Sequence, residues 1–86
     1  MNKKLIQRLT NLKAVMLLRN DTELSYRVGG FISVIEMDIL TKQQIISILN
    51  RIEDYIKKDY MYSQITEETY KIYLTRIKAA YREYAR

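Results

Sequence analysis

The chain reads as an all-α protein, a four-helix bundle-like single domain over residues 1–86, and three observations predict that class. Apolar residues return at three- and four-residue spacing in four separate stretches, the period of an amphipathic helix. Side chains suited to helix capping stand between the stretches. The chain has 86 residues and no cysteine, so neither disulfides nor thiolate metal sites can staple its modest core, and stability must come from helix packing.

The first helix is expected at about 2–19, with Leu5, Leu9, Leu12 and Met16 on one stripe. Asn20-Asp21 is the break, and Asp21 or Thr22 is a good N-cap for the next helix. That second helix is expected at 22–39, with Leu24, Val28, Phe31, Ile32, Ile35 and Ile39 inward. Gly29-Gly30 falls in its middle at a cost of about 2 kcal/mol in helix propensity. A break there is the alternative. The preferred reading takes Ser25, Gly29 and Ser33 as a smooth strip where another helix can approach closely.

Thr41-Lys42-Gln43-Gln44 is a capping box that opens a third helix at 42–59. Ile45, Ile48, Leu49, Ile52, Tyr55 and Ile56 form its inner face, and Glu53 with Lys57 and Asp54 with Lys58 are i,i+4 pairs on its wet side. Asp59 to Gln64 is read as the longest loop. The fourth helix is expected at 66–85, with Glu67 and Glu68 in the first turn, where the dipole favours acids. Its inner stripe is Tyr70, Tyr73, Leu74, Ile77, Tyr81 and Tyr84. Leu17, Leu18, Tyr26, Met37, Ile46 and Ile72 fall off the main faces and are candidates for an interface.

Composition excludes more chemistry than it suggests. There is no His, the commonest neutral-pH general acid–base, and the serines have no activating partner. The carboxylates make no convergent cluster, and Gly29-Gly30 alone is not a phosphate loop. No enzyme, metal or cofactor is expected. The basic start Met1-Asn2-Lys3-Lys4 leads into no long apolar run, which argues against a secretory signal or a membrane span and for a cytoplasmic protein.

What remains is surface. The net charge is +5, which suits an anionic partner. The first helix is basic, with Lys4 and Arg8 as candidate contacts, whereas residues 21–40 carry Asp21, Glu23, Glu36 and Asp38 against Arg27 alone. On the last helix Lys71, Lys78, Arg82 and Arg86 project opposite the tyrosine stripe as a basic ridge. Only Glu67 (to Lys71) and Glu83 (to Arg86) can offset it locally. Tyr60 and Tyr62, read as loop tyrosines, are candidate aromatic contacts, because such residues offer area at low entropy cost.

The segment Ile65-Thr66-Glu67-Glu68-Thr69-Tyr70-Lys71-Ile72-Tyr73-Leu74-Thr75-Arg76-Ile77-Lys78 resembles the recognition segment of helix-turn-helix DNA-binding proteins. It departs from that pattern in two places: Ser63-Gln64 stands where the family usually has an apolar residue and a turn glycine, and Glu67 and Glu68 occupy exposed early positions that would face phosphates. The resemblance implies that Lys71 and Arg76 contact DNA. In general appearance the small, Ile/Lys/Tyr-rich chain also resembles accessory proteins of phages and mobile elements, such as inhibitors of host machinery. The leading expectation is a non-enzymatic interaction protein that binds and occludes a larger protein or assembly. The alternative is a dimeric helix-turn-helix-like transcriptional regulator. A second copy of the chain is a further candidate partner.

Overall fold

The computed structural model describes residues 2–84. They form four helices, α1 Lys3–Leu18, α2 Thr22–Glu36, α3 Lys42–Met61 and α4 Glu67–Tyr84, with no strand among them. Each neighbour runs antiparallel. α1 packs against α2 and α4, and α3 closes the ring by packing against the same two. α1 and α3 therefore lie on one diagonal, α2 and α4 on the other.

One apolar core fills the ring. Leu5, Leu9, Leu12 and Met16 enter from α1, and Leu24, Val28, Ile32 and Ile35 from α2. Ile45, Ile48, Leu49, Ile52 and Ile56 enter from α3, and Tyr73, Ile77 and Ala80 from α4. The expected stripes are thus the buried ones, except at their edges. Phe31, Tyr55, Tyr70, Leu74, Tyr81 and Tyr84 are only partly buried and flank the core.

The caps explain where helices begin. Asp21 accepts the Leu24 N–H at 3.3 Å. Thr41 Oγ1 accepts the Gln44 N–H at 3.2 Å, while Gln44 Oε1 accepts the Thr41 N–H at 2.8 Å. Thr66 Oγ1 accepts the Thr69 N–H at 3.2 Å.

The ends depart from expectation in two places. α2 stops at Glu36, three residues early, because Asp38 turns left-handed at φ 57°. Ile39, expected in the inner stripe, is left 68% exposed. α3 runs on to Met61, so the connection to α4 is shorter than expected and Tyr60 is helical rather than in a loop.

Among the described residues three have positive φ without being glycine, Asn20, Asp38 and Ser63, and each lies just past a helix C-terminus. At two of them the hydrogen bonds are those of a Schellman motif. Asn20 N–H donates to Leu17 O and Asp21 N–H to Met16 O; Ser63 N–H donates to Tyr60 O and Gln64 N–H to Asp59 O. Glycine is the usual occupant of this position, yet the chain's two glycines sit inside α2 with negative φ. The helix passes through Gly29-Gly30 unbroken.

The small-residue strip is realised in part. Ser25 is buried, but the group lying against Gly29 is the Lys13 side chain, whose Nζ would be 3.0 Å from an added Cβ. The three atoms nearest that position all belong to the Lys13 side chain. An added Cβ at Gly30 would meet nothing within 4 Å.

Two substitutions exploit this misplacement. Ser63→Gly relieves a left-handed non-glycine residue, and Gly30→Ala removes a glycine from an exposed helix interior. Each should raise the unfolding free energy of the monomer by about 1 kcal/mol. The two sites belong to different elements, so the gains should add. Urea denaturation of both single variants and the double variant measures this.

Candidate functional site

The basic ridge lies where helical phase puts it. Tyr73, Ile77 and Ala80 point α4 into the core, so Lys71, Thr75, Lys78 and Arg82 emerge on the opposite side, all exposed. They span about 16 Å along the helix at 1.5 Å per residue. Among the described residues, Lys71, Lys78 and Arg82 take part in no ion pair. Glu67 does not reach Lys71. Glu83 turns the other way and accepts from Arg8 at 3.2 Å, with its side chain only 11% exposed. Arg86, the fourth expected member of the ridge, lies outside the described residues.

Several contacts hold α4 in this rotation. The hydroxyl of the buried Tyr73 donates to Asp21 Oδ2 at 3.1 Å, reaching the cap of α2 in the α1–α2 turn. Arg19 donates to Thr69 Oγ1 at 2.9 Å and stands 3.6 Å from Glu68. On the α3 side the Tyr81 hydroxyl lies between Asn50 Oδ1 and Glu53 Oε1, while Glu53 also meets Lys57 at 3.5 Å. Tyr60 stacks on Tyr70 with ring centroids 4.2 Å apart and planes 4° from parallel. Across the remaining seam, Arg27 of α2 sits 4.6 Å over the Tyr55 ring of α3.

The other expected contact residues divide. Lys4 is exposed on α1. Arg8 is tied to Glu83 and so bridges α1 and α4 rather than standing free. Tyr62 is 69% exposed just past α3, and Met61 and Leu18 are exposed at the same end of the bundle. Tyr60 is partly covered by its stack with Tyr70. Asp54 and Lys58, expected as a pair, form no ion pair within 4.0 Å, unlike Glu53 and Lys57.

Burial and nearby charge shift three groups. Burial, then Asp21, raises the pKa of the Tyr73 hydroxyl well above the ordinary tyrosine range. Burial, with Glu53 alongside, pushes Tyr81 up to about 12. Asp59 is also raised, by burial first and then by the carboxylates of Asp21 and Glu23, with Arg27 opposing. No three acidic side chains converge as metal ligands among the described residues, and no helix there is long and apolar enough to cross a membrane.

A shallow groove lies along α2, lined by Thr22, Glu23, Tyr26, Arg27, Gly29, Gly30 and Ser33, with Lys13 of α1 at its edge. Sequence reasoning placed Tyr26 off the main face and did not join it to the glycines; the signal was their shared helical phase. No family model, curated protein or solved structure matches the chain.

The tyrosine ties predict an alkaline limit to stability. A raised folded-state pKa means that above pH 10 the unfolded chain loses phenolic protons that the folded chain keeps. The contribution is complete below about pH 10 and falls as pH rises, by up to about 1.4 kcal/mol per pH unit for each tyrosine. Denaturation midpoints between pH 9 and 12 should therefore fall less steeply for the Tyr73→Phe, Tyr81→Phe double variant than for the parent. At pH 7 Tyr73→Phe alone should cost about 1–2 kcal/mol, because it removes a hydrogen bond to a carboxylate.

Proposed function

We propose that this chain is a non-enzymatic interaction protein that docks on a larger protein or assembly with an acidic surface and modulates it by covering it. The observation that carries this reading is the α4 ridge. Lys71, Lys78 and Arg82 are left unneutralised on the face opposite the core, although acids are available nearby. Like charges at i,i+4 on one helix face cost a few tenths of a kcal/mol, so the row is mildly unfavourable to the isolated domain. An anionic partner reverses that sign and also speeds encounter. Lys4 extends the cationic surface onto the neighbouring helix. Tyr62, Met61 and Leu18 at the end of the bundle add apolar area of the kind that anchors contacts. Inhibition of host or defence machinery by a mobile-element accessory protein is the setting that such a small occluding domain suits.

Recognition of duplex DNA by α4 has less support. In a helix-turn-helix the two helices cross at roughly 90–120°, whereas α4 rests along α3 from the Tyr60–Tyr70 stack to the Tyr81–Asn50 contact. Glu67 and Glu68 stand exposed in the first turn, where phosphates would lie.

The expected outcome is recovery of one dominant acidic protein by affinity capture from the source cells. Lys78→Glu with Arg82→Glu should weaken that complex at least about tenfold and flatten its salt dependence. Titration of duplex DNA at two salt concentrations is the counter-test. Log-linear salt-dependent binding, lost in the same double variant, would replace the protein-partner reading with the nucleic-acid one.

A further inference from the structure

The outward face of α2 carries an unexplained cost. Leu24, Ser25, Val28, Ile32 and Ile35 are its buried residues. Tyr26, Gly30, Ser33 and Met37 emerge on the other side, Met37 continuing the helical backbone at the C-cap. Tyr26 is 82% and Met37 63% exposed. Glu23, one turn before Tyr26 on the same side, is exposed and pairs with Arg27, whereas no residue from Val28 to Ile35 is charged. Gly30 answers to no need of the monomer: its φ is negative and its missing Cβ would touch nothing within 4 Å. Neither backbone conformation nor internal packing accounts for it.

We infer that the Tyr26–Gly30–Ser33–Met37 face of α2 is a homodimer interface that pairs with the same face of a second copy, antiparallel about a two-fold axis. The inference does not depend on what the α4 ridge binds. Its first support is the order of sizes. Large, small, small and large residues succeed one another at spacings of four, three and four, a pattern that reads the same in both directions. Isologous contact requires such self-complementarity. An antiparallel partner would set Tyr26 against the partner's Met37, a favourable sulfur–aromatic contact. It would set Gly30 against the partner's Ser33, where the absence of bulk lets the helices close.

The second support is electrostatic. Each copy carries +5 overall, so association must keep the basic surfaces apart. α2 sits diagonally across the bundle from α4. Contact through α2 therefore keeps the two ridges far apart and facing outward on opposite sides. Such a dimer bridges two anionic surfaces rather than gripping one.

Sedimentation equilibrium of the full chain from micromolar to millimolar concentration should show a monomer–dimer equilibrium. Gly30→Leu, Tyr26→Ser and Met37→Ser should each raise the dimer Kd at least about tenfold, with helical content and cooperative melting retained. Geometry is read by cross-linking, which the absence of cysteine makes clean. A chain with Tyr26→Cys mixed with one carrying Met37→Cys should form the mixed disulfide readily. Two copies with Tyr26→Cys should not, because antiparallel pairing holds those positions about 16 Å apart, beyond the roughly 7 Å a disulfide spans. A monomer at every concentration, a dimer indifferent to all three substitutions, or preferential cross-linking of Tyr26→Cys to itself would each overturn the inference.

Discussion

Tyr73 reaches from α4 to the Asp21 carboxylate in the α1–α2 turn, the cap of the helix diagonally across the bundle. Asp21 serves both ends of that contact. One carboxylate oxygen caps α2 and the other accepts the phenol, while the Asp21 N–H closes the Schellman turn of α1 on Met16 O. Two residues earlier Arg19 holds Thr69, one helical turn before Tyr73. The α1–α2 turn thus grips α4 at two successive turns, and with α4 held, its rotation is fixed. A purely aliphatic stripe tolerates small rotations, because apolar contact has no direction. A hydroxyl that must find one carboxylate does not. The outward bearing of Lys71, Lys78 and Arg82 results from that inward constraint.

The same logic separates what periodicity could reveal from what it could not. Core residues of all four helices were legible, since burying one face is what imposes the 3.6-residue period. The caps at Asp21 and Thr41 were legible because they are local. The end of α2 was not. Ile39 continues the apolar phase, and no glycine marks the left-handed turn that Asp38 makes instead. Tyr60 looked like a loop residue after the polar Lys57-Lys58-Asp59. Its helical conformation is supported by the stack with Tyr70, a contact that exists only once α4 has folded back. Arg8 with Glu83, 75 residues apart, lies equally beyond local reading. Of the candidate site, the ridge was readable as a helical face, but the loss of Arg8 to an internal pair was not.

Ion pairing divides the surface further. Acids of α4 that face α1 are consumed there, Glu83 by Arg8 and Glu68 by Arg19. Glu23 is matched within its own helix by Arg27, which also lies over Tyr55. Pairing along the seams adds little stability, since exposed pairs contribute about 0–1 kcal/mol. Its larger consequence is to draw negative charge away from the outer face of α4. The domain is left with one cationic side and, diagonally opposite, a helix whose stretch from Val28 to Ile35 carries no charge, an arrangement that average composition conceals.

Glycine use bears on the same division. Three left-handed positions, at Asn20, Asp38 and Ser63, would each gain from glycine, yet both glycines lie in a right-handed helix where alanine is better by about 1 kcal/mol. Gly29 has a local reason, because the Lys13 stem lies across it. Gly30 has none. Folding alone would favour the reverse placement. When each local choice serves the fold, residues and conformations agree, and disagreement marks where another demand has prevailed. Here the disagreement falls on an exposed helix face between a tyrosine and a methionine. A surface that must admit another surface closely is the demand that favours a missing side chain over a stable helix.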